Sequence, residues 1–366
     1  MYIKDIELHN FRNYKDLVLE FHPNVNLILG NNAQGKTNLL ESIYITSMGK
    51  SFRTSKDNEM ILFGEEFGRV KVHAQKDYYD TSVELILSRD SRKSAKVDGV
   101  KIKKSSQLLE NIYIVVFSPE DLRIVKDEPE KRRKFIDREL CQLRPKYYED
   151  LGNYKKVLLQ RNAYLKEHEV DPGIMDLWDI QLARYGASIM MMRADFIKKL
   201  DKISRGIHGA ITGGRERLEL KYAPNVPLAD SLDELQQSYY QAIRSAFDND
   251  MRQRTTTKGP HKDDLEFFID DISVRSFGSQ GQQRTSALSI KLAELSLIKE
   301  ETGEEAILLL DDVMSELDLQ RQEFLVKSLA DIQMFITTTE LPDKLKETLP
   351  EGKTFYVTAG RVEEEK

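Results

Sequence analysis

The sequence of 366 residues has little of what covalent cross-links, metal clusters and membrane spans require. It contains a single cysteine, Cys141, which excludes an internal disulfide bond and a metal site built from several cysteines. Its longest apolar run, residues 112–117, is far shorter than the ~20 residues that cross a bilayer. The first residues also lack the basic stretch and the apolar block of a secretory signal. We therefore expect a protein of the reducing cytoplasm without a membrane-spanning segment.

A surplus of positive charge is absent as well. The chain has 55 Lys and Arg residues against 61 Asp and Glu residues, which gives a formal net charge of −6. A uniformly basic nucleic-acid binder is therefore not indicated, whereas a local basic face is compatible with this balance. Hydrophobic residues make up 40% and charged residues 32%, a globular composition, and the length predicts two or three domains.

The pattern of apolar residues changes at two places along the chain. Residues 1–118 alternate largely like strands. Residues 119–255 are mostly helical in pattern, most clearly at 174–203, where apolar residues recur at steps of three and four. From residue 256 to residue 366 helix and strand alternate again. The pattern predicts an α/β domain formed by 1–118 and 256–366, into which a mostly helical domain is inserted.

The strongest motif is a glycine-containing loop between a strand and a helix. Glycines allow successive backbone N–H groups to turn inward around a phosphate, and the helix N-terminus adds its positive dipole end. We expect Lys36 to bridge the β- and γ-phosphates of ATP and the Thr37 hydroxyl to ligate Mg²⁺. The motif has the phosphate-loop spacing G-x-x-x-x-G-K-[ST] and consists of Gly30, Asn31, Asn32, Ala33, Gln34, Gly35, Lys36 and Thr37.

The second motif is an apolar strand, 306–310, followed by Asp311 and Asp312. Ligands bind at the C-terminal edge of the strands in open α/β sheets, so Asp311 is placed to hold Mg²⁺ through water. Asp312 points elsewhere because side chains alternate along a strand, and it could orient or activate a water against the γ-phosphate. Turn or helix-capping aspartates are the alternative, which the phosphate loop disfavours. We expect this strand and the strand before the loop to be neighbours in one sheet.

A third motif, residues 276–284, precedes a helical stretch and contains Ser279, Gly281 and Gln282. Ser279 is a good N-cap, and the exposed N–H groups of a helix N-terminus suit an anion. An ordinary capped helix is the alternative interpretation. The position of the motif, about 30 residues before the two-aspartate strand, favours a functional role.

In this order, the phosphate loop, the serine loop, the acid-ending strand and the turn at 314–318 resemble the head of an ABC-type ATPase. The resemblance implies that the serine loop of one subunit closes on the nucleotide held by the phosphate loop of another. Ser279, Gly281 and Gln282 match the family signature L-S-G-G-Q. Gly278 replaces its leucine, and Gln280 replaces its first glycine.

Two further departures from that family concern hydrolysis. Three threonines, residues 337–339, stand where ABC heads usually have a histidine, and Asp312 stands where they usually have a glutamate. The resemblance therefore implies that sensing of the γ-phosphate falls to a hydroxyl or is weak, and that the ATPase is slow.

More narrowly, the chain is similar to the bacterial RecF family of recombination-repair proteins over almost its whole length. The resemblance implies an ATP-dependent homodimer that binds DNA at gaps or single-strand/double-strand junctions, with ATP and Mg²⁺ as cofactors. It also implies a weak DNA-stimulated ATPase, with RecR and RecO as partners in loading RecA. The segments that carry it are 11–14, 30–41, 50–54, 117–122, 132–137, 259–264 and 277–284.

DNA binding must come from local patches because the net charge is acidic. A solvated charged face is the alternative for each patch. His261 lies inside the third patch, and without a Cys or His partner nearby we expect it to be structural rather than a metal ligand. The candidate patches are Lys50, Arg53 and Lys56; Lys131, Arg132, Arg133 and Lys134; and Arg252, Arg254, Lys258 and Lys262.

Three other functions fit parts of the sequence. An ABC transporter ATPase would need a membrane partner and normally has a complete signature with a switch histidine. An SMC-like structural protein has long coiled coils, for which the insert at 119–255 is too short. A module that uses ATP only as structural glue would bind without turnover, and phosphate release with and without gapped DNA distinguishes it.

Overall fold

The computed structural model describes residues 1–167, 169–329, 331–340 and 342–365. The chain divides into two compact units. The first contains Met1–Leu122 and Lys291–Lys366, and the second contains Arg123–Ile290. Among the described residues, no helix combines the length and the apolar character that a bilayer crossing requires.

The described residues form fifteen strands and ten α-helices, joined by loops and short 3₁₀ turns. The strands are β1 (Tyr2–Phe11), β2 (Tyr14–Glu20), β3 (Val25–Leu29), β4 (Phe67–Gln75), β5 (Asp80–Ser88), β6 (Ser94–Val97), β7 (Val100–Lys101), β8 (Ile114–Phe117), β9 (Leu218–Ala223), β10 (Asp264–Ile269), β11 (Ile272–Ser273), β12 (Ile307–Asp311), β13 (Met334–Thr338), β14 (Gly352–Thr358) and β15 (Arg361–Glu364). The helices are α1 (Lys36–Met48), α2 (Pro129–Leu143), α3 (Pro145–Tyr164), α4 (Pro172–Thr212), α5 (Leu232–Ser245), α6 (Phe247–Gln253), α7 (Val274–Phe277), α8 (Gln280–Thr302), α9 (Leu319–Lys327) and α10 (Asp343–Lys346).

The first unit contains two six-stranded sheets. One is antiparallel, with the strand order β2-β1-β4-β5-β6-β7. In β4 and β5 buried residues alternate with partly exposed ones, as in a sheet that packs one face on a core. Asp98 and Gly99, both with positive φ, form the tight turn between β6 and β7.

The other sheet of the first unit contains β3, which precedes the phosphate loop, and β12, which ends at Asp311. Its order is β15-β14-β3-β13-β12-β8, and all neighbouring pairs are parallel except β14 with β15. The strands β8, β12 and β13 are entirely buried, which explains their continuous apolar sequences. The expectation that β3 and β12 are neighbours is wrong, because β13 lies between them. Both strands still end at the same edge, since they run parallel.

Helix α1 begins directly after the loop that follows β3, and eleven of its thirteen residues are buried. A helix that is buried on nearly all sides belongs to the core, so its N-terminus is held in place by packing. The phosphate-loop motif therefore lies between a central strand and a buried helix.

The second unit is mostly helical, as predicted, and also contains the antiparallel sheet β11-β10-β9. The predicted helix at 174–203 forms the middle of α4, which has 41 residues. Asp171 caps its N-terminus by accepting a hydrogen bond from the Gly173 N–H at 2.7 Å, and Gly213 ends it in the left-handed conformation. At the start of the predicted apolar stripe, Leu177 is 62% exposed rather than buried.

The division into two units differs from the predicted domain boundaries at one of the two crossings. The first crossing lies at 122/123, close to the predicted 118/119, but the second lies at 290/291 rather than at 255/256. Residues 256–290 belong with the second unit because β10 pairs with β9 along its whole length. The serine loop is therefore part of the second unit, not of the unit that carries the phosphate loop.

Candidate functional site

The phosphate-loop motif forms a tight loop whose two glycines have backbone conformations that other residues rarely adopt. Gly30 has φ 154° and Gly35 has φ 122°. A Cβ atom on Gly30 would lie 2.4 Å from the Val357 carbonyl oxygen, and one on Gly35 would lie 2.6 Å from Asn13 Nδ2. Only glycine fits at both positions, which is the physical reason for the spacing of the motif.

The turn between β1 and β2 holds this loop in shape. Asn13 Nδ2 donates to the Gln34 carbonyl at 2.9 Å, and the buried Tyr14 hydroxyl donates to the Gly35 carbonyl at 2.9 Å. Asn38 Nδ2, in the first turn of α1, donates back to Asn13 Oδ1 at 2.8 Å. Sequence reasoning missed these residues as parts of the site. The segment 11–14 carries part of the family resemblance, but no residue pattern in it indicates contact with the phosphate loop.

Lys36, the first residue of α1, is 4% exposed. Its Nζ donates to the carbonyl oxygens of Gly30 at 2.7 Å and of Asn31 at 3.2 Å. The ammonium group is therefore held against the loop, where a bound phosphate would meet it together with the N–H groups at the start of α1.

Thr37 and Asp311 meet at the edge of the parallel sheet. The Thr37 hydroxyl donates to Asp311 Oδ1 at 2.8 Å, although 274 positions separate the two residues in the sequence. Burial raises the pKa of Asp311, and the hydrogen bonds from Thr37 and Thr337 oppose that rise. A hydroxyl and a carboxylate beside a phosphate loop are a donor set that suits Mg²⁺. The described residues contain no group of three or more Asp, Glu, His or Cys side chains placed to hold a metal, so the ion would also need phosphate oxygens.

Thr337 supports both aspartates from the intervening strand β13. It is fully buried, and its hydroxyl donates to Asp311 Oδ1 at 3.0 Å. The same hydroxyl oxygen accepts a hydrogen bond from the Asp312 N–H at 3.0 Å. Among the three threonines that replace the usual histidine, Thr337 is therefore engaged with the aspartates.

Asp312 has an unusual backbone for a residue other than glycine, with φ 53°. Asp and Asn tolerate this left-handed region better than most residues, and such strain is common at functional sites. Burial raises the pKa of the Asp312 carboxyl, and the charge of Lys36 opposes the rise. The structure thus places a half-buried carboxylate within the electrostatic reach of the phosphate-loop lysine.

Arg53, a residue of the first candidate DNA patch, lies against α1. Its Nη1 donates to Asn38 Oδ1 at 2.7 Å and to Glu41 at 3.3 Å. The net pKa of Asp311 is raised by burial, and the charge of Arg53 is a minor contribution that opposes this rise. The fully buried Glu41 also accepts hydrogen bonds from Arg12 and Ser51. An arginine thus stands beside the phosphate loop, which the sequence alone did not indicate.

The serine loop has the capped geometry that its sequence predicts. Ser279 N–H donates to Gln282 Oε1 at 2.9 Å, and the Gln282 N–H donates to Ser279 Oγ at 3.2 Å. Gln282 Nε2 also donates to Glu216 at 3.1 Å. Ser279 is exposed, whereas Gly281 is half-buried. This is a reciprocal capping box at the start of α8, so the loop is a preformed surface feature of the second unit.

Several residues of the predicted DNA patches are used inside the second unit. Arg132 is 1% exposed and forms two hydrogen bonds to the Asp264 carboxylate, at 2.6 and 2.8 Å. Arg254 donates to the carbonyl oxygens of Leu165 and Glu167. Arg132 therefore cannot contact DNA in this conformation, and the second patch reduces to its neighbours on α2.

His261 has the structural position that its sequence context predicts. Its Nε2 lies 2.9 Å from the Thr256 carbonyl oxygen and therefore carries the proton, so Nδ1 accepts a hydrogen bond from the Tyr154 hydroxyl at 2.6 Å. Burial lowers the pKa of His261 to about 4, with a smaller contribution from the charge of Lys262. The ring is thus neutral near pH 7 and has both nitrogens occupied.

Comparison with known proteins gives concordant matches. The family model described as "RecF/RecN/SMC N terminal domain" matches residues 2–349. The DNA replication and repair protein RecF of Clostridioides difficile (strain 630) is 47% identical over 346 residues, covering 94% of this chain and 93% of that protein.

Solved structures show the same similarity. A structure of the recombination mediator protein RecF-ATPrS in the RecFOR pathway has a TM-score of 0.93 at 36% identity, covering 99% of this chain and 98% of that one. A structure of RecF-ATP in the same pathway has a TM-score of 0.91 at 37% identity, covering 100% and 98%. The predicted fold class, an α/β ABC-type P-loop ATPase head with an inserted mostly helical second domain, is confirmed.

Proposed function

The chain belongs to the RecF family of DNA replication and repair proteins, and we propose that it is an ATP-dependent DNA-binding clamp with slow ATP hydrolysis. The observation that carries this proposal is the 2.8 Å hydrogen bond between Thr37 and Asp311. This hydrogen bond joins the start of α1 to the end of β12. It lies beside the phosphate loop, where Lys36 Nζ donates to the Gly30 carbonyl oxygen. Such an arrangement serves to hold a triphosphate and its metal ion.

In this proposal each residue of the head has a defined task. Lys36 and the N–H groups of residues 30–35 hold the β- and γ-phosphates of ATP. Thr37 and Asp311 hold Mg²⁺, which neutralises phosphate charge when it is bound. Asp312 orients or activates the attacking water. Because Asp312 is one methylene shorter than the glutamate of related ATPases, we expect ATP turnover to be weak. We also propose that ATP turnover rises when DNA is bound.

The second part of the proposal concerns dimerisation. Ser279, Gly281 and Gln282 of one subunit cap the γ-phosphate held by a second subunit, so two ATP molecules lie between two heads. The exposed, preformed serine loop supports this role. Contacts that exist only with a γ-phosphate shift the equilibrium toward the dimer in ATP and not in ADP. Hydrolysis then resets the clamp.

The third part concerns the partners. The clamp closes on gapped DNA or on a single-strand/double-strand junction, and it contacts RecR, with RecO and RecA in the same pathway. This part is supported by the solved relatives, which are described as recombination mediators of the RecFOR pathway. DNA as the substrate also favours a cytoplasmic location.

Two measurements test the proposal. Analytical ultracentrifugation of the full chain should show a dimer with ATP and Mg²⁺ and a monomer with ADP. Titration of single-stranded, duplex and gapped DNA, each with ATP, ADP or no nucleotide at two salt concentrations, should show ATP-dependent and salt-sensitive binding. A monomer under all nucleotide conditions would argue against the clamp, and phosphate release that gapped DNA does not change would favour ATP as structural glue.

A further inference from the structure

The second unit contains a cavity of about 230 Å³ that the proposed ATP site does not use. Its walls come from α2, α3, α4 and the turn Pro260–Lys262. The volume is below the ~300–1,000 Å³ of pockets for drug-sized ligands. A site of this size accommodates a small group, such as a phosphate with the sugar that carries it.

The lining of this cavity is more basic than the chain as a whole. Four cationic side chains line it, Arg133, Lys134, Lys155 and Arg193, against two carboxylates, Glu130 and Asp137. The formal excess is two positive charges among the lining residues, and one when the buried Asp263 that pairs with Arg193 is counted, in a chain whose net charge is −6. A local positive potential on an acidic protein concentrates anions at that place.

A buried network fixes the floor of the cavity. Arg193 is 2% exposed and forms ion pairs with Asp137 at 2.8 Å and with Asp263 at 3.1 Å. It also donates to the Pro260 carbonyl at 2.7 Å and to the Tyr147 hydroxyl at 3.0 Å. These bonds connect α2, α3 and α4 with the turn at Pro260 and fix the floor of the cavity.

Arg133 differs from the other three cations of the lining. Its Nη1 donates to the Asp263 carbonyl at 2.7 Å, and in the described part of the chain it forms no ion pair. Lys134 pairs with Glu130, and Lys155 lies 3.6 Å from Asp137. Burial, followed by the charge of Arg193, lowers the pKa of Arg133. A guanidinium group offers five N–H donors, so Arg133 retains donors for an incoming anion.

We propose that this cavity binds a phosphate group of DNA, with Arg133 as the principal contact and Lys134 and Lys155 at the rim. Leu151, Leu158 and Ile189 line the remaining wall and suit the carbon atoms of the attached sugar. The inference rests on the proposed DNA binding and specifies one place on the chain where a phosphate is held. The phosphate can be a strand terminus or an internal phosphodiester, and the experiment separates these two sources.

The test uses the full chain with ATP and Mg²⁺ and two gapped DNAs that differ only at the gap, one with a 5′-phosphate and one with a 5′-hydroxyl. Arg133→Gln and the pair Lys134→Gln/Lys155→Gln are compared with wild type by fluorescence anisotropy at two salt concentrations. Lys198→Gln/Lys202→Gln is the matched control, because it removes two exposed cations of α4 outside the cavity. ATP binding, which the cavity variants should leave unchanged, and a cooperative thermal transition check that each variant is folded. Arg133→Gln should melt at a somewhat lower temperature, because it loses the hydrogen bond to the Asp263 carbonyl.

If the cavity holds a terminal phosphate, wild type prefers the 5′-phosphate DNA by roughly tenfold and the cavity variants lose this preference. If it holds an internal phosphate, wild type binds both DNAs equally and the cavity variants weaken both by the same factor, with a salt slope lower by about one unit per lost contact. Cavity variants that bind both DNAs as the control variant does would overturn the assignment while leaving the clamp intact. Wild type that binds no DNA in ATP would overturn the clamp and this inference together.

Discussion

Arg12 donates two hydrogen bonds to the fully buried carboxylate of Glu41, from Nε at 2.7 Å and from Nη2 at 2.6 Å. Glu41 lies in α1, one turn after Thr37, and Arg12 lies in the turn between β1 and β2. The pair therefore ties the phosphate-loop helix to the same turn from which Asn13 and Tyr14 hold the loop. Stability of the head and geometry of the phosphate loop are coupled through it.

The first prediction concerns this ion pair. Arg12→Gln should lower the free energy of unfolding by about 2–4 kcal/mol, because it leaves the buried Glu41 carboxylate with Ser51 and Arg53 as its remaining partners among the described residues. Urea unfolding at pH 7 measures the change. Lys4→Gln, which breaks an exposed pair with Asp80, is the control and should have a much smaller effect. If both variants lost the same free energy of unfolding, the buried pair Arg12–Glu41 would stabilise the head no more than an exposed pair does.

The second prediction concerns the phosphate-loop lysine. Lys36→Arg keeps the charge but places a larger planar group where Nζ contacts Gly30 and Asn31, so ATP affinity should fall at least about tenfold. Binding of a fluorescent ATP analogue measures it. Lys15→Arg, at an exposed position of β2, should bind like wild type. Unchanged ATP affinity in Lys36→Arg would show that Lys36 does not contribute to ATP binding.

The third prediction separates chemistry from backbone strain at Asp312. Asp312→Asn should keep stability and ATP binding, since Asn tolerates φ 53°, while phosphate release falls by at least about tenfold. Asp312→Glu should cost roughly 1 kcal/mol of stability, because a longer side chain is strained in this conformation. Steady-state phosphate release and urea unfolding are measured on both variants. Full turnover in Asp312→Asn would exclude Asp312 as the residue that activates water.

The fourth prediction concerns the serine loop. Ser279→Arg should leave ATP binding by the monomer intact and prevent ATP-induced dimerisation, because it places a bulky cation at an exposed loop that is proposed to face the second subunit. Ultracentrifugation and nucleotide titration test the two halves of this statement. Ser245→Arg, at an exposed position of α5, is the matched control. Loss of ATP binding by the Ser279→Arg monomer would show that the loop has a different role.

The fifth prediction concerns pH. The pKa of His261 is lowered to about 4 in the folded protein, whereas a histidine in the unfolded chain titrates near 6.5. Between these values the unfolded chain binds a proton that the folded chain does not, so the stability from neutral His261 is present above pH 6.5 and is lost as pH falls toward 4. The loss should be roughly 1–3 kcal/mol.

Urea unfolding at pH 7, 5.5 and 4.5 tests this, with His261→Gln as the comparison. The variant loses the contacts with Tyr154 and Thr256 at every pH, but its stability should change less with pH than that of wild type. Parallel pH profiles would mean that His261 does not titrate in this window.

The sequence predicted the local structure correctly where residue types stand at a fixed spacing. The strand, glycine loop and helix around Lys36 were predicted together, as was the aspartate pair at the end of β12. The sequence did not predict correctly which basic residues are available to bind DNA, because that depends on which face of a helix is buried. Arg132 and Arg133 are adjacent basic residues in one helix, yet Arg132 is buried against Asp264 and Arg133 lines a cavity. The run of basic residues at 131–134 does not by itself indicate which of them is buried.

The sequence by itself determined the fold class and the strand, glycine loop and helix around Lys36, because glycine spacing and apolar periodicity are local properties of the chain. Only the tertiary structure decided that β13 separates β3 from β12, that Thr337 supports the aspartates, that Asn13 and Tyr14 hold the loop, and that Arg12 anchors α1. These relations join residues far apart in the chain, and they arise from the packing of strands and the satisfaction of buried polar groups, which no short pattern encodes.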